Sequence, residues 1–291
     1  MAEISASVVK ALRDQTGAGM MDCKRALADA DGDVARAGEL LRERGLAKAV
    51  KREGRETTEG VIGLALAGKA GALVELACET DFVAKTDEFQ KLAAQLAAAA
   101  AADASLASAD SLLGATLGGE KVSERIQGAI AKVCENVVLR RVARLAAGDG
   151  GVVGGYVHAG GKLGVLVAVS AKAGGAALDA LAKDLSMHVA AADPSPVSID
   201  RTGVPKELVD AERAIFRAQA EQSGKPANIV EKMVEGRVNK YYAEVCLLEQ
   251  AFVKDPERTV GRLLGDEAKR LGGEIGVTGF VRFKLGEALA K

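Results

Sequence analysis

A glycine-containing pattern that occurs twice constrains the fold of this chain more than any other feature of its sequence. Residues 68–74 read GKAGALV and residues 161–167 read GKLGVLV, an offset of 93 residues. In each copy the glycines lie between two apolar runs, which is the pattern of two antiparallel strands joined by a tight turn. The repeat therefore predicts a duplicated scaffold in which each half begins with a β-hairpin.

A helix and a third strand are predicted to complete each half. Both hairpins are followed by a pair of leucines at helical spacing: Leu92 and Leu96, then Leu181 and Leu185. Apolar runs over residues 136–145 and 277–285 predict the closing strands. The predicted fold class is therefore α+β, with two related antiparallel sheets that each carry helices on one face.

The two halves differ in length just before their helices. The leucine pairs are offset by only 89 residues, so the first half holds four more residues between hairpin and helix, around residues 80–83. Residues 74–79 (VELACE) alternate before this point, which predicts a strand with one solvent-exposed face. Asp81 and Phe82 then place a carboxylate beside an aromatic ring in a loop, where both can be presented to a partner. The alternative is that Phe82 packs beneath its own loop.

A pair of helices is predicted to interrupt the second half, over residues 201–244. Apolar residues recur at spacings of three and four in both: Leu208, Ala211, Ile215 and Ala218, then Val230, Val234, Val238, Tyr241 and Val245. Narrow seams of this kind are typical of coiled-coil helices, and the short SGKP turn (Ser223–Pro226) makes them antiparallel. The pattern predicts a projecting helical hairpin. A packed position in the core is the alternative, which the charged remaining faces disfavour.

Three helices are predicted for residues 1–45. Ser5 or Ser7 caps the first helix, Gly17 ends it, and Asp33 caps the third. A bundle of three such helices with glycine turns is ubiquitin-associated-like. It is too small to be very stable alone.

The adjacent methionines Met20 and Met21 cannot share one face of a helix. Two interpretations stay open for them: one side chain in the core with the other at its rim, or an adaptable surface for a partner helix. The charge-rich residues 48–60 predict a solvated linker after the three helices. We therefore expect three parts: a helical module with its linker (1–54), the first half (55–146) and the second half (147–291).

Charge and composition exclude several classes of function. The 291 residues include 39 basic and 40 acidic side chains and only 3% aromatic residues, so neither a nucleic-acid footprint nor a base-stacking surface is expected. No apolar segment has the length and character of a membrane span, and the N-terminus lacks the pattern of a signal peptide. The four cysteines (Cys23, Cys78, Cys134 and Cys246) contain no close pair of the kind that zinc sites use. We expect them to be buried thiols in a reducing cytoplasm.

The sequence contains no motif of a phosphate-binding loop, a nucleophile elbow or a metalloprotease. His158 and His188 are its only histidines. His188 is expected in the core or at a helix cap. His158 would need a nucleophile and an orienting acid to act as a catalytic base, and the sequence supplies no local candidate for either.

Two segments resemble the signatures of bacterial elongation factor Ts, in the order found in that family. Residues 12–27 read LRDQTGAGMMDCKRAL and residues 75–85 read ELACETDFVAK. The runs GYVHAGGKLGVLVAV, EKMVEGR and TGFVRFKLGE are also similar to that family. The resemblance spans nearly the whole chain, and two ordered signatures are far more specific than one.

This resemblance implies a guanine-nucleotide exchange factor for elongation factor Tu, which it binds in the GDP-bound and nucleotide-free states. It assigns a role in disturbing the Mg²⁺ and nucleotide site of that GTPase to Thr80, Asp81, Phe82 and Val83. It assigns partner contacts to Arg13, Met20, Met21 and His158. It implies no cofactor, no covalent catalysis, no nucleic-acid or membrane partner, and a cytoplasmic location. A monomer and a dimer both stay open.

The alternative function is a small-molecule enzyme that uses His158 with Cys78 or Asp81. Intrinsic turnover distinguishes the two hypotheses, because an exchange factor should have no activity without its GTPase.

Overall fold

Three helices begin the chain in the structure, a computed structural model that describes residues 4–50, 52, 54–172, 174–222 and 225–288. They are α1 (Ala6–Thr16), α2 (Met20–Asp29) and α3 (Val34–Val50). The Ser5 hydroxyl accepts a hydrogen bond from the Val8 amide, so Ser5 and not Ser7 caps α1. Gly17 ends α1 in the left-handed conformation, and the Asp33 carboxylate accepts from the Arg36 amide at the start of α3.

The charged segment of residues 48–60 is only partly a linker. Helix α3 continues to Val50, and the first strand begins at Glu59. Lys51 and Glu53 lie outside the described residues.

The first half of the scaffold contains two hairpin strands, a closing strand, a short strand pair and four α-helices. In chain order these are β1 (Glu59–Ala67), β2 (Ala70–Cys78), α4 (Asp81–Ala84), α5 (Asp87–Ala102), α6 (Ala109–Gly114), β3 (Thr116–Leu117), β4 (Glu120–Lys121), α7 (Val122–Val133) and β5 (Val137–Ala146). Helices α6 and α7 and the small β3–β4 pair were not predicted from the sequence.

The second half repeats the hairpin, helix and closing strand. Its elements are β6 (Val152–Val157), β7 (Leu163–Ala171), α8 (Ala176–Ala191), α9 (Lys206–Glu221), α10 (Ala227–Val245), β8 (Ala251–Phe252), β9 (Asp255–Thr259), α11 (Val260–Leu271) and β10 (Ile275–Lys284). Four residues (172–175) connect β7 to α8, whereas eight (79–86) connect β2 to α5. The four-residue lengthening of the first half is therefore confirmed.

Both sheets have the same strand order. The first is β1-β2-β5 and the second is β6-β7-β10, with every pair antiparallel, so the later hairpin strand lies in the middle of each. The observed closing strands begin and end within two residues of the predicted ones. The prediction of two related antiparallel sheets is confirmed.

The two sheets pack against each other face to face. Their contact consists of apolar side chains from both: Ile62, Leu73, Val153, Leu166, Ala168 and Phe283. Equivalent glycines allow the close approach, because an added Cβ would lie 2.9 Å from Leu166 Cδ2 at Gly71 and 2.5 Å from Ile62 Cγ2 at Gly164. Both faces of β2 are consequently buried. The prediction that one face of this strand is exposed to solvent was wrong.

Helices α5 and α8 cover the outer faces of the two sheets. Each approaches a strand glycine closely: an added Cβ would lie 2.5 Å from the Ala93 carbonyl oxygen at Gly63 and 2.3 Å from the Ala182 carbonyl carbon at Gly154. These neighbours are backbone atoms, which cannot move aside as the end of a side chain can. The helices can therefore sit this close to the sheets only while both positions remain glycine.

Replacing Gly154 by alanine should destabilise the protein by at least about 2 kcal/mol, because the methyl group must push α8 away from the sheet. Gly236→Ala is the matched control, since Gly236 lies exposed within α10 with nothing within 4 Å of an added Cβ. We expect the control to stabilise α10 by roughly 0.8–1 kcal/mol. Thermal melts of both variants check this, and equal melting temperatures would contradict the close packing of α8.

Helices α9 and α10 pack on each other, but not through both predicted seams. The predicted residues of α10 are buried or half-buried, whereas Leu208, Ala211, Ile215 and Ala218 of α9 are all exposed. Helix α9 instead buries Val209 and Ala220 and half-buries Phe216. Of the predicted turn, Ser223 and Gly224 lie outside the described residues.

Three of the four cysteines are buried as expected, but Cys134 is exposed and that prediction was wrong. Cys134 ends α7 in the left-handed conformation, with φ 61°. His188 is buried as predicted: its Nδ1 accepts from the Val253 amide, and its Nε2 lies 3.0 Å from Gln250 Oε1. Burial lowers the pKa of His188, which keeps the ring neutral. No helix among the described residues is both long and apolar enough to cross a membrane.

Candidate interaction site

Helix α4 presents a phenylalanine to solvent between β2 and α5. Phe82 is 80% exposed, whereas the next residue, Val83, is only 9% exposed and packs into the first half's core. The interpretation in which Phe82 packs beneath its own loop is therefore wrong. The four extra residues form one helical turn instead of an irregular loop.

Threonines at both ends define this turn. Thr80 precedes α4 as its N-cap, and its hydroxyl accepts from the Val83 amide at 3.5 Å. Thr86 follows it, donates to the Val83 carbonyl at 2.8 Å and caps α5. Val83 and Ala84 anchor the turn by burial. Asp81 and Phe82 are thereby carried on the outer side of a segment that is fixed at both ends.

Glu135, which lies between α7 and β5, holds the start of α4 by two hydrogen bonds. Its Oε2 accepts from the Thr80 amide at 2.9 Å and its Oε1 from the Thr80 hydroxyl at 2.6 Å. The role of Glu135 could not be predicted from the sequence, because this residue lies 55 positions from Thr80 and belongs to no motif.

Cys78 holds the same threonine from inside the core. Its thiol lies 3.2 Å from the Thr80 carbonyl oxygen, to which it donates. Burial, and then the nearby charge of Glu135, raise the pKa of Cys78 to about 12. A thiol that stays protonated is a poor nucleophile, so Cys78 serves to hold the backbone and not to react.

Asp81 is an ionised carboxylate on the exposed side of α4. Its Oδ2 lies 2.5 Å from Lys85 Nζ. The hydrogen bond from Lys85 is the main cause that lowers the pKa of Asp81, and the charges of Lys85 and Lys162 lower it further. At neutral pH the group is therefore an anion held by one flexible cation.

A cleft of about 420 Å³ lies between α4, β1 and the turn that joins β6 to β7. Asp81 and Lys85 line one side of it, and Gly161 and Lys162 line the other. Lys162 also forms an ion pair of 2.6 Å with Glu59 of β1. The structure thus brings the two predicted segments, the one with Asp81 and the one with His158, to the same cleft.

His158 begins the β6–β7 turn and is exposed. Its Nδ1 lies 3.1 Å from the Tyr156 hydroxyl, and its amide donates to the Leu163 carbonyl. Among the described residues, no group of three or more His, Cys, Asp or Glu side chains is placed to hold a metal ion.

The other predicted contact residues lie on the N-terminal helices and do not line this cleft. Met20 and Met21 are 42% and 63% exposed, so the interpretation that buries one of them was wrong. Arg13 is also exposed, in the last turn of α1. Lys132 of α7 links this module to the first half: an added Cβ at Gly17 would lie 3.0 Å from its Cε, while its Nζ pairs with Glu88 of α5 at 2.5 Å.

The sequence of this chain is similar to those of known proteins from one family. A sequence model of the family described as Elongation factor TS matches residues 79–287, which include α4, the closing strand of the first sheet and the whole second sheet. An Elongation factor Ts from Clostridium botulinum (strain Eklund 17B / Type B) is 45% identical over 99% of this chain and 95% of its own length. Those from Thioalkalivibrio sulfidiphilus and Brucella ovis are 49% and 46% identical, each over 99% of this chain and 94% of their own lengths. With matches that cover both halves and the N-terminal helices, the chain belongs to the elongation factor Ts family.

Proposed function

We propose that this protein promotes translation elongation by binding the GTPase elongation factor Tu and accelerating its release of GDP. Membership of the elongation factor Ts family supports the role in elongation. The observation that carries the proposal is the 80% exposure of Phe82 on a turn that is anchored at both ends. An apolar ring held in water by its own scaffold is suited to enter a partner and not the protein's own core.

In the proposed mechanism Phe82 inserts as a wedge between elements that keep the nucleotide site closed. Asp81, one position earlier, acts on the Mg²⁺ ion and its waters, because carboxylate oxygens are the ligands that Mg²⁺ prefers. Thr80 and Val83 fix the turn from which both side chains project. Lys85 must release Asp81 for this step, which is feasible since their ion pair is largely solvated.

The remaining contacts supply affinity in this proposal. The N-terminal helices act as a ubiquitin-associated-like docking module, with Met20, Met21 and Arg13 on their exposed surface, and His158 contacts the GTPase from beside the cleft. Residues 201–244 are proposed to act as a projecting helical hairpin. Because coupling is reciprocal, a factor that binds the nucleotide-free state better is displaced when nucleotide binds again.

An enzyme that uses His158 with Cys78 or Asp81 is not favoured by the geometry. The Cys78 thiol is buried and protonated, which makes it a poor nucleophile. His158 has the Tyr156 hydroxyl, not an orienting acid, at its Nδ1. Neither Cys78 nor His158 therefore has the partners that nucleophilic or general acid–base chemistry needs.

The test of the proposal is the release of fluorescent GDP from elongation factor Tu. Catalytic amounts of this protein should accelerate release in the presence of excess unlabelled GDP, with no hydrolysis attributable to the protein alone. A release rate that does not change with the concentration of this protein would reject the proposed function.

Asp81→Asn should slow stimulated GDP release at millimolar Mg²⁺, because the amide keeps the shape of the carboxylate but not its charge. The defect should shrink as Mg²⁺ is lowered, since a GTPase that has lost its metal already holds GDP loosely. Asp87→Asn, at an exposed acid in the first turn of α5, is the matched control. A defect of Asp81→Asn that is equal at every Mg²⁺ concentration would show that Asp81 acts by another route.

A further inference from the structure

Glu135 and Glu79 form a reciprocal connection between two distant segments beneath α4. The Glu135 carboxylate accepts from the Thr80 amide and hydroxyl, and the Glu79 carboxylate accepts from the Asn136 amide at 2.6 Å. Each segment therefore supplies an acceptor for a backbone N–H of the other. Hydrogen bonds that involve a charged group are among the stronger ones in proteins.

The end of α7 directs Glu135 toward Thr80. Cys134 adopts the left-handed conformation and its amide donates to the Ile130 carbonyl, which ends the helix. The chain then turns so that the next residue faces the connection between β2 and α4. Asn136 completes the turn, with its side-chain amide donating to the Arg55 carbonyl at 2.8 Å.

The presentation of Phe82 depends on this anchor because α4 is only four residues long. A single turn does not form stably by itself, since helix nucleation is unfavourable. Burial of Val83 and Ala84 fixes the C-terminal end of the turn, whereas the N-terminal end is fixed through Thr80. Asp81 and Phe82 directly follow Thr80, so a change at this end redirects both.

The second half gives an independent comparison. Helix α11 also ends in a left-handed residue, Gly272, three positions before β10 begins at Ile275, just as Cys134 lies three positions before β5 begins at Val137. The residue that corresponds to Glu135 there is Gly273, which has no side chain, and the connection it faces is the short one of residues 172–175. A carboxylate is thus present at this position in the half whose longer connection carries α4, and absent at the corresponding position in the half with the shorter connection.

We propose that Glu135 is a positioning residue for nucleotide release: it fixes Thr80 and so sets the fraction of molecules in which Asp81 and Phe82 point toward the GTPase. This inference rests on the proposed function. It assigns Glu135 no contact with the nucleotide or the metal. Its effect is to reduce the conformational freedom that binding would otherwise have to remove.

A double-mutant cycle on GDP release tests the inference. Glu135→Ala should lower the stimulated rate by roughly 5- to 30-fold, within the range expected when donors shielded from water lose their acceptor. Glu135→Gln, which keeps one acceptor oxygen, should fall between the wild type and Glu135→Ala. In a background that carries both Asp81→Asn and Phe82→Ala, Glu135→Ala should lower the rate by less than about twofold, because neither side chain remains to be positioned. Losses that multiply would overturn the proposal.

Hydrogen exchange gives a readout that does not depend on the GTPase. The Ala84 and Lys85 amides donate to the Thr80 and Asp81 carbonyls, so their protection reports on the turn itself. Glu135→Ala should lower their protection about tenfold while the amides of the two central strands keep theirs. Glu88→Ala, which removes an exposed ion pair with Lys132, is the control and should change neither.

Hydrogen exchange and GDP release together distinguish a failure of the positioning role from a failure of the proposed function. Unchanged protection of Ala84 and Lys85 in Glu135→Ala would overturn the positioning role, whatever the release rates are. If the wild-type protein does not accelerate GDP release, the proposed function fails, and lost protection would then show an anchored turn that serves another partner.

Discussion

Replacing Phe82 by alanine is expected to lower the rate of stimulated GDP release by about 10- to 100-fold. Full burial of a phenylalanine ring contributes roughly 1.5–3 kcal/mol, and each 1.4 kcal/mol corresponds to about a factor of ten. The ring of Phe82 is available for burial in a partner because it is 80% exposed in the protein alone. The measurement is release of fluorescent GDP from elongation factor Tu over a range of concentrations of the variant.

The same substitution should leave the melting temperature almost unchanged, since an exposed ring contributes little to folding. Leu271→Ala is a suitable control: Leu271 is another large apolar side chain that is exposed, at the end of α11. It should alter neither release nor melting appreciably. Should Phe82→Ala melt many degrees lower while releasing GDP normally per folded molecule, the ring would belong to the core and the wedge mechanism would be wrong.

Glu75→Ala should have the largest effect on stability, a loss of about 3–5 kcal/mol in the free energy of unfolding. Glu75 is fully buried in the middle strand of the first sheet. Its Oε2 lies 2.6 Å from Arg141 Nε, and its Oε1 accepts from the Gly286 amide at 3.2 Å. Arg141 also stacks 4.0 Å from the ring centroid of Phe283 in the second sheet. Removing the carboxylate leaves a guanidinium largely shielded from water without its nearest anion.

Thermal melts check this prediction, with a decrease of roughly 6–20 °C expected for a chain of this size. Asp210→Ala is the matched control, because the Asp210–Lys206 pair lies on the exposed side of α9 and should contribute almost nothing. If the two variants melted alike, water would have to reach Glu75, and the charge cluster would not join the two sheets.

The scaffold was predictable because its signal is local. Glycine turns between apolar runs specify hairpins wherever they occur, and the repeat made the closing strands recognisable. The packing of the two sheets against each other could not be predicted from such local patterns. Alternation over residues 74–79 shows that one face of the strand is apolar, but it cannot show that a second sheet covers the other, where Glu75 is paired with Arg141.

The predicted packing face of helix α9 was wrong for a different reason. It carries two apolar stripes, and the one with regular coiled-coil spacing contains Leu208 and Ile215, which are exposed. The stripe that packs on α10 contains Val209, Phe216 and Ala220. Periodicity alone favours the first stripe as the packing face of α9. The stripe that packs in the structure is the one whose side chains fit against the valines of α10.

The candidate site was predictable in part. Comparing the lengths of the two halves located the extra residues, and the exposure of Phe82 agrees with its position among them. The anchor of the turn could not be found in this way. Glu135 lies beside Thr80 because β5 pairs with β2, so its role depends on tertiary structure and cannot be read from the local sequence.

The unequal connections of the two halves also bear on stoichiometry. A duplicated scaffold would offer two equivalent docking surfaces if both copies had kept the same connection between strand and helix. Here the connection 172–175 has half the length of the one that holds α4 with its flanking threonines, and Gly273 supplies no carboxylate at the position of Glu135. Under the proposed function, each chain therefore engages a single GTPase molecule, and the second half contributes contacts such as His158 and support for the first sheet instead of a second exchange turn.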